Sequence, residues 1–249
     1  MKKGFLLAGA MIGTVLLLAL TISRLNGLLE PAMVPSMIWR ARPLILDAGH
    51  GGEDGGAVSL TGVPESRINL AIVLKLRDVL GLYGVDPILL REEDISLHDE
   101  GADTLREKKR SDLKNRVEAI EAVEDGVLLS IHQNTYPSGR YCGAHVFYAP
   151  TEGSQPLAEH FQNSIKSALQ PDNERAVKQI PDTVYIMNHV SCPAVLIECG
   201  FLTNPDEEVL LRNEDYQRKL AAVVTAAWLT APSQETAFTR GEISGTIVP

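Results

Sequence analysis

The chain has 249 residues, 45% hydrophobic and 22% charged, with three cysteines and a formal charge of −9. These values fit one folded domain with extensions, and they exclude a disulfide-dense scaffold and a wholly disordered chain. The acidic balance argues against nucleic acid as a partner, because phosphate neutralisation needs clustered Lys and Arg.

In chain order, the first element is apolar. Lys2 and Lys3 precede an uncharged stretch of 20 residues from Gly4 to Ser23, which Arg24 ends. A helix of about 20 apolar residues spans the hydrocarbon of a bilayer. Residues 1–24 are therefore predicted to be a signal segment or transmembrane helix, attaching the chain to the membrane. The leading lysines place the N-terminus in the cytoplasm and the body outside. The run is long for a cleaved signal and no small-x-small site follows Leu20, so a retained anchor is expected, with a cleaved signal as its rival. No cysteine follows directly, so lipoprotein processing has no support. Residues 25–42, with Gly27, Pro31 and Pro35, read as a linker. Residues 1–40 hold four basic residues and one acidic, so the exported remainder carries −12. Such a body is expected to be soluble and to avoid anionic lipid.

From residue 43 to 230, short β-type runs alternate with helical patterns. Leu44-Ile45-Leu46 is a strand that stops at Asp47-Ala48-Gly49-His50. Ile68, Ile72, Leu76, Val79 and Leu80 follow helical spacing, with Gly81 and Gly84 as the stop. Pro87–Leu90 reads as a strand. Leu113, Val117 and Ile120 mark a helix capped by Ser111 or Asp112. Val127–Ile131 and Ala144–Tyr148 are strands, and Leu157, Phe161, Ile165 and Leu169 form a helical stripe. Ala194–Ile197 is a strand leading to Glu198. Asn204-Pro205-Asp206-Glu207 is a helix start, and Leu220–Leu229 is the last helix. Residues 231–249, rich in Ser, Thr and Gly, are expected to be a disordered tail. This alternation predicts an α/β fold: three αβα layers around a central, mostly parallel sheet.

Ligands of such sheets bind beyond the carboxyl ends of the strands. The residues placed there are Asp47 and His50 after the first strand, with Glu53 and Asp54. His132 follows Ile131, Glu198 follows Ile197, and Glu65 precedes the first helix. His50, Glu65 and His132 make a two-imidazole, one-carboxylate set suited to a single zinc ion with a fourth position for water. Glu198 is then the general base and acid. Spacing alone leaves a second reading open, in which these are ordinary core or capping residues. Gly49-His50-Gly51 does not complete a dinucleotide loop, since Asp54 stands where its third glycine belongs. Neither GxxxxGK nor GxSxG occurs. Cys199 after an apolar strand reads as a buried structural thiol rather than a nucleophile. A Cys192–Cys199 disulfide would require the chain to loop back, and Cys142 has no assigned role.

Four blocks carry a family resemblance: LDAGHGGEDGGA (46–57), GVPESRINL (62–70), SIHQN (130–134) and PAVLIECGFLTN (193–204). Their order and residues resemble the zinc-dependent N-acetylmuramoyl-L-alanine amidases of the Amidase_3 family over residues 43–230. The resemblance implies His50, Glu65 and His132 as ligands of one Zn²⁺ and Glu198 as the catalytic glutamate. It implies hydrolysis of the amide between the lactyl group of N-acetylmuramic acid and L-alanine in peptidoglycan. Asp47 is expected as a supporting or turn-stabilising carboxylate, and Asn134 as an orienting or turn-closing residue. The segments 95–101, 106–113 and 141–148 look like the germination-specific amidases of spore formers. That likeness implies an exported, membrane-facing enzyme of the forespore and cortex, making muramic-δ-lactam. A helper protein is a partner the sequence leaves open. Outside the blocks, His98 and His189 are groove candidates or plain surface histidines, and His145 and His160 carry no assigned chemistry. The basic run Arg106–Arg110 is a solvated helix start or a contact for acidic groups. Two other functions stand beside the amidase: a non-catalytic wall-binding module of the same fold, and a zinc peptidase of wall crosslinks.

Overall fold

The structure is a computed structural model that describes residues 42–231. The predicted anchor, the linker up to residue 41 and the tail beyond Ala231 lie outside the described residues. No helix among the described residues is long and apolar enough to cross a membrane. The strands are β1 (Leu44–Ala48), β2 (Ile88–Leu89), β3 (Val127–Asn134), β4 (His145–Tyr148), β5 (Lys178–Gln179) and β6 (Ala194–Phe201). The helices are α1 (Glu65–Leu82), α2 (Leu105–Glu121), α3 (Ser154–Leu169), α4 (Tyr185–His189), α5 (Pro205–Arg212) and α6 (Glu214–Thr230).

One sheet has the order β2-β1-β3-β6-β4-β5. The first four strands are parallel, β4 runs antiparallel to β6, and β5 follows β4. The sheet is thus mixed, which refines the expectation of a mostly parallel one. The reversal has a local cause. Parallel strands need a long crossover, usually a helix. Residues 135–144 between β3 and β4 hold no helix, so the chain turns at the strand end and runs back.

Alternate strand residues feed two apolar layers. Leu44, Leu46, Leu129, Ile131, Val195 and Ile197 pack against α1, α3 and α6. Ile45, Leu128, Ala194 and Leu196 pack beneath α2 and α4. The α1 stripe of Ile68, Ile72, Leu76 and Leu80 is buried as its periodicity requires. Burying one such side chain contributes about 1.5–3 kcal/mol. α1 stops where Gly84 takes φ +72°, a conformation glycine adopts without a Cβ penalty.

Two boundaries differ from the sequence expectation. α2 starts at Leu105, not near Ser111, because Thr104 and Glu107 form a reciprocal capping box. The apolar stripe begins only at Leu113, so periodicity alone misses the first two turns. α6 starts at Glu214, where Asn213 accepts hydrogen bonds from the amides of Asp215 and Tyr216. At α5 the Asn204 cap is present, accepting from Asp206 and Glu207. Glu207 itself accepts from the amides of Phe201 and Gly143 instead of closing a box.

On the α2–α4 face the inward pattern turns polar toward the carboxyl ends of the strands. Ile45 is followed by Asp47, Leu128 by Ser130 and His132, and Leu196 by Glu198. This change builds the site. His132 and Glu198 lie inside β3 and β6, not in the loops that follow.

Candidate metal centre and active site

His50, Glu65 and His132 bring one donor atom each within 4.8 Å of one another. His132 Nδ1 lies 3.1 Å from Glu65 Oε1, and His50 Nε2 lies 3.4 Å from Glu65 Oε2. Donors of a tetrahedral ion with bonds of about 2.0–2.1 Å sit roughly 3.3 Å apart. The spacing and the donor types therefore suit a small divalent cation.

Each donor is fixed by its backbone. His50 sits at φ +63°, a conformation rare outside glycine and found where surrounding structure enforces it. The enforcing groups are arginines from two other segments. Arg116 Nη2 donates to the His50 carbonyl at 2.7 Å. Arg91 donates to the carbonyls of Ala48, Gly49 and Ser66. Asp54 Oδ2 lies 3.1 Å from His50 Nδ1 and 3.1 Å from Lys109 Nζ. The ring is thereby oriented with Nε2 toward Glu65. A Cβ on Gly49 would meet the His132 ring at 2.2 Å, so only glycine lets the chain leaving β1 pass beside that donor.

Glu65 is the first residue of α1 and is buried. It accepts from the amides of Ala57 and Gln133 and from Asn69 Nδ2, at 3.0, 3.0 and 3.2 Å. Burial opposes its ionisation, but the His132 hydrogen bond and the two ring charges win, and its carboxyl falls to about 2. Burial likewise opposes charge on His132, while Glu65 raises its pKa.

Glu198 stands directly opposite His132 on the neighbouring strand. Both line a cavity of about 280 Å³ together with His50, Asp47, Lys109 and Arg116, walled on its apolar side by Leu113, Ile186, Met187 and Leu196. Glu198 Oε2 is buried and has no hydrogen-bond partner among the described residues. Burial pushes the carboxyl up to about 7, with His132 opposing and Glu65 adding. Such a group can take and return a proton near neutral pH. An orphaned carboxylate oxygen beside three convergent donors also fits a water or ion in that space.

Asp47 lines the cavity floor, fully buried, pairing with Arg116 and accepting from Ser130 Oγ at 2.6 Å. Burial resists its charge, but Arg116 chiefly, with His132 and Ser130, lowers its pKa. Asn134 ends β3, where its carbonyl accepts from Leu202 N at 2.8 Å, outside the cavity wall.

Sequence reasoning missed Arg116, Asp112, Arg91 and Asn69, and gave Asp54 no role. Arg116 is buried between Asp47 and Asp112. The arrangement Asp112-x-x-x-Arg116, an i,i+4 pair on a helix, was the available signal. Within the basic run, Lys108 pairs with Glu53 and Lys109 with Asp54, so its acidic contacts are internal. His98 lies 3.6 Å from Glu53, His145 bonds the Ala176 carbonyl, His160 meets Thr230, and His189 stacks on Tyr185. None of these four lines the cavity. All three cysteines are free, with Cys199 buried.

Comparison with known proteins identifies the family. The family model Amidase_3, described as N-acetylmuramoyl-L-alanine amidase, matches residues 44–229. The germination-specific N-acetylmuramoyl-L-alanine amidase of Bacillus subtilis is 36% identical over 182 residues, 73% of this chain and 76% of that protein. A solved CwlD amidase from Clostridioides difficile, in complex with the GerS lipoprotein, is 40% identical with a TM-score of 0.71, covering 75% of this chain and 95% of that one. The amidase of Clostridium difficile 630 is 28% identical with a TM-score of 0.64, covering 82% and 99%. The family match spans nearly all the described residues and includes every donor of the candidate centre, so the chain belongs to the Amidase_3 family of N-acetylmuramoyl-L-alanine amidases.

Proposed function

We propose that this chain cuts the amide between N-acetylmuramic acid and L-alanine with one Zn²⁺ held by His50, Glu65 and His132. The observation that carries the reading is the convergence of three donors beside the unpartnered oxygen of Glu198. Zn²⁺ bound there would polarise the amide carbonyl and make a neighbouring water more acidic. Glu198 takes the proton of the attacking water at Oε2. It then delivers that proton to the amine of L-alanine as the carbon–nitrogen bond breaks. The water oxygen ends in the new lactyl carboxylate. Arg116, Arg91 and Asp54 hold His50 in place throughout. The complete set favours an enzyme over a wall-binding module, which has no need of Glu198. The test is mass spectrometry of digested muropeptides. Free stem peptides are expected with zinc, and none after chelation. Glu198→Gln should keep its zinc and release no peptide; cut crosslinks instead would make it a peptidase.

The finer role is in the spore cortex, as the first step of muramic-δ-lactam formation. It is supported by the likeness to a germination-specific amidase and to a CwlD amidase. Cortex lacking muramic-δ-lactam in a strain without this protein is the expected result. The apolar segment 4–23 holds the body outside the cytoplasmic membrane, and a helper protein assists it. These readings rest on the sequence and on the solved relative's complex with a lipoprotein.

A further inference from the structure

Beyond β3 and β6, the strands that carry His132 and Glu198, the chain exposes an aromatic pair with no assigned task. Tyr136 and Tyr141 are 48% and 45% exposed. Their rings meet edge to face at 4.4 Å. Phe201, at the end of β6, lies 6.2 Å behind Tyr141 in a tilted arrangement. The Arg175 guanidinium sits 4.8 Å over Phe201 and 5.9 Å from Tyr141. Neither phenol hydroxyl has a hydrogen-bond partner among the described residues.

The loop that holds these rings is tied down. Tyr136 N donates to Thr203 Oγ1, and Asn204 Nδ2 donates to the carbonyls of Gly139 and Tyr141. Gly143 N donates to Glu207. A Cβ on Gly139 would meet the Thr203 carbonyl at 2.8 Å, so the loop lies close against that corner. Two rings are thus presented in a fixed geometry, which spares the entropy of ordering them on binding.

We propose that Tyr136 and Tyr141 form a subsite for the sugar rings of the glycan strand, beside the reacting amide. The position carries the choice of occupant. Tyr136 is four residues beyond His132, at most about 14 Å along the chain. A glycan polymer whose amide lies at His132 and Glu198 extends beyond the reacting bond, and its next sugars reach over such a distance. Aromatic faces are electron-rich and attract the C–H faces of pyranose rings. The free hydroxyls and Arg175 suit sugar hydroxyls and acetamido carbonyls.

This inference rests on peptidoglycan as the substrate, so the test uses glycan without peptide. Peptide-free glycan strands are titrated into the full chain and binding is measured by calorimetry. The wild type should bind, and Tyr136→Ala with Tyr141→Ala should weaken binding about tenfold, the loss expected for two aromatic contacts. Tyr136→Phe with Tyr141→Phe keeps both faces and should retain most of it. The alanine pair should also raise KM on polymeric wall by more than it raises KM on a monomeric muramoyl peptide, with kcat little changed on either. No binding by the wild type, or equal binding by the alanine pair, overturns the subsite. A chain that binds glycan yet cuts no muramoyl peptide keeps the subsite and rejects the amidase reading.

Discussion

Glu198 and His132 face each other across the parallel pair β6 and β3, at the last regular register before the ladder shifts. In that position the Glu198 carboxyl is buried, near the Glu65 charge, and is pushed from an ordinary 4.5 up to about 7. A carboxyl with a raised folded-state pKa costs stability when it ionises. The cost is absent below pH 4.5, grows between 4.5 and 7, and is complete above 7. In chelated protein, Glu198→Gln should therefore be more stable than wild type by a few kcal/mol under mildly alkaline conditions. The difference should vanish in acid. Denaturant midpoints at both ends of that range check this, and a glutamine variant no more stable in alkali would contradict it.

Asp54 is the carboxylate that orients His50, and Lys109 from α2 shares it. Loss of such an outer partner weakens metal binding by roughly 10–100-fold. Asp54→Ala is expected to fall in that range in competition with a chromophoric chelator. Glu53→Ala is the control, because Glu53 pairs with Lys108 and His98 and touches no donor. Equal zinc affinity in the two variants would remove Asp54 from the centre.

Parts of this molecule were legible before folding because their signals are local. The α1 stripe is periodic, and the donors fall at strand ends inside glycine-rich turns. Arg116 was not legible, since its partner Asp47 lies 69 residues away and only the packing of α2 on β1 joins them. Arg91 looks like an exposed strand end in sequence, and its burial depends on four backbone carbonyls it reaches in three segments. β5 has two residues, Lys178 and Gln179, too few for any alternation to register. The start of α2 was written in Thr104 and Glu107 but hidden by the polar turns that follow.

Arg116 is the strongest test of how the His50 loop is held. It neutralises Asp47 and Asp112 and donates to the carbonyls of Ala48 and His50. Removing one partner of a buried ion pair costs about 3–5 kcal/mol, because the remaining charge stays buried. Arg116→Met should lose that much, read from denaturant unfolding. Arg116→Lys should recover only part, since one ammonium cannot reproduce the guanidinium fork. A methionine variant within about 1 kcal/mol of wild type would mean the two aspartates are relieved some other way.

The cysteines separate a thiol mechanism from the carboxylate one. Cys142 is exposed, Cys192 is partly covered and Cys199 is buried in β6. Burial pushes the Cys199 thiol well above its ordinary range and the Cys192 thiol up to about 11. Thiolate, not thiol, reacts with alkylating reagents. Native protein at about pH 8 should therefore label at Cys142 first, and at Cys199 only after denaturation. Peptide mapping by mass spectrometry assigns the sites. Cys199→Ala should keep muropeptide hydrolysis, because the side chain next to Glu198 on β6 points into the opposite apolar layer with Ile197 and Leu202. Rapid native labelling of Cys199, with activity lost in step, would return that thiol to the chemistry.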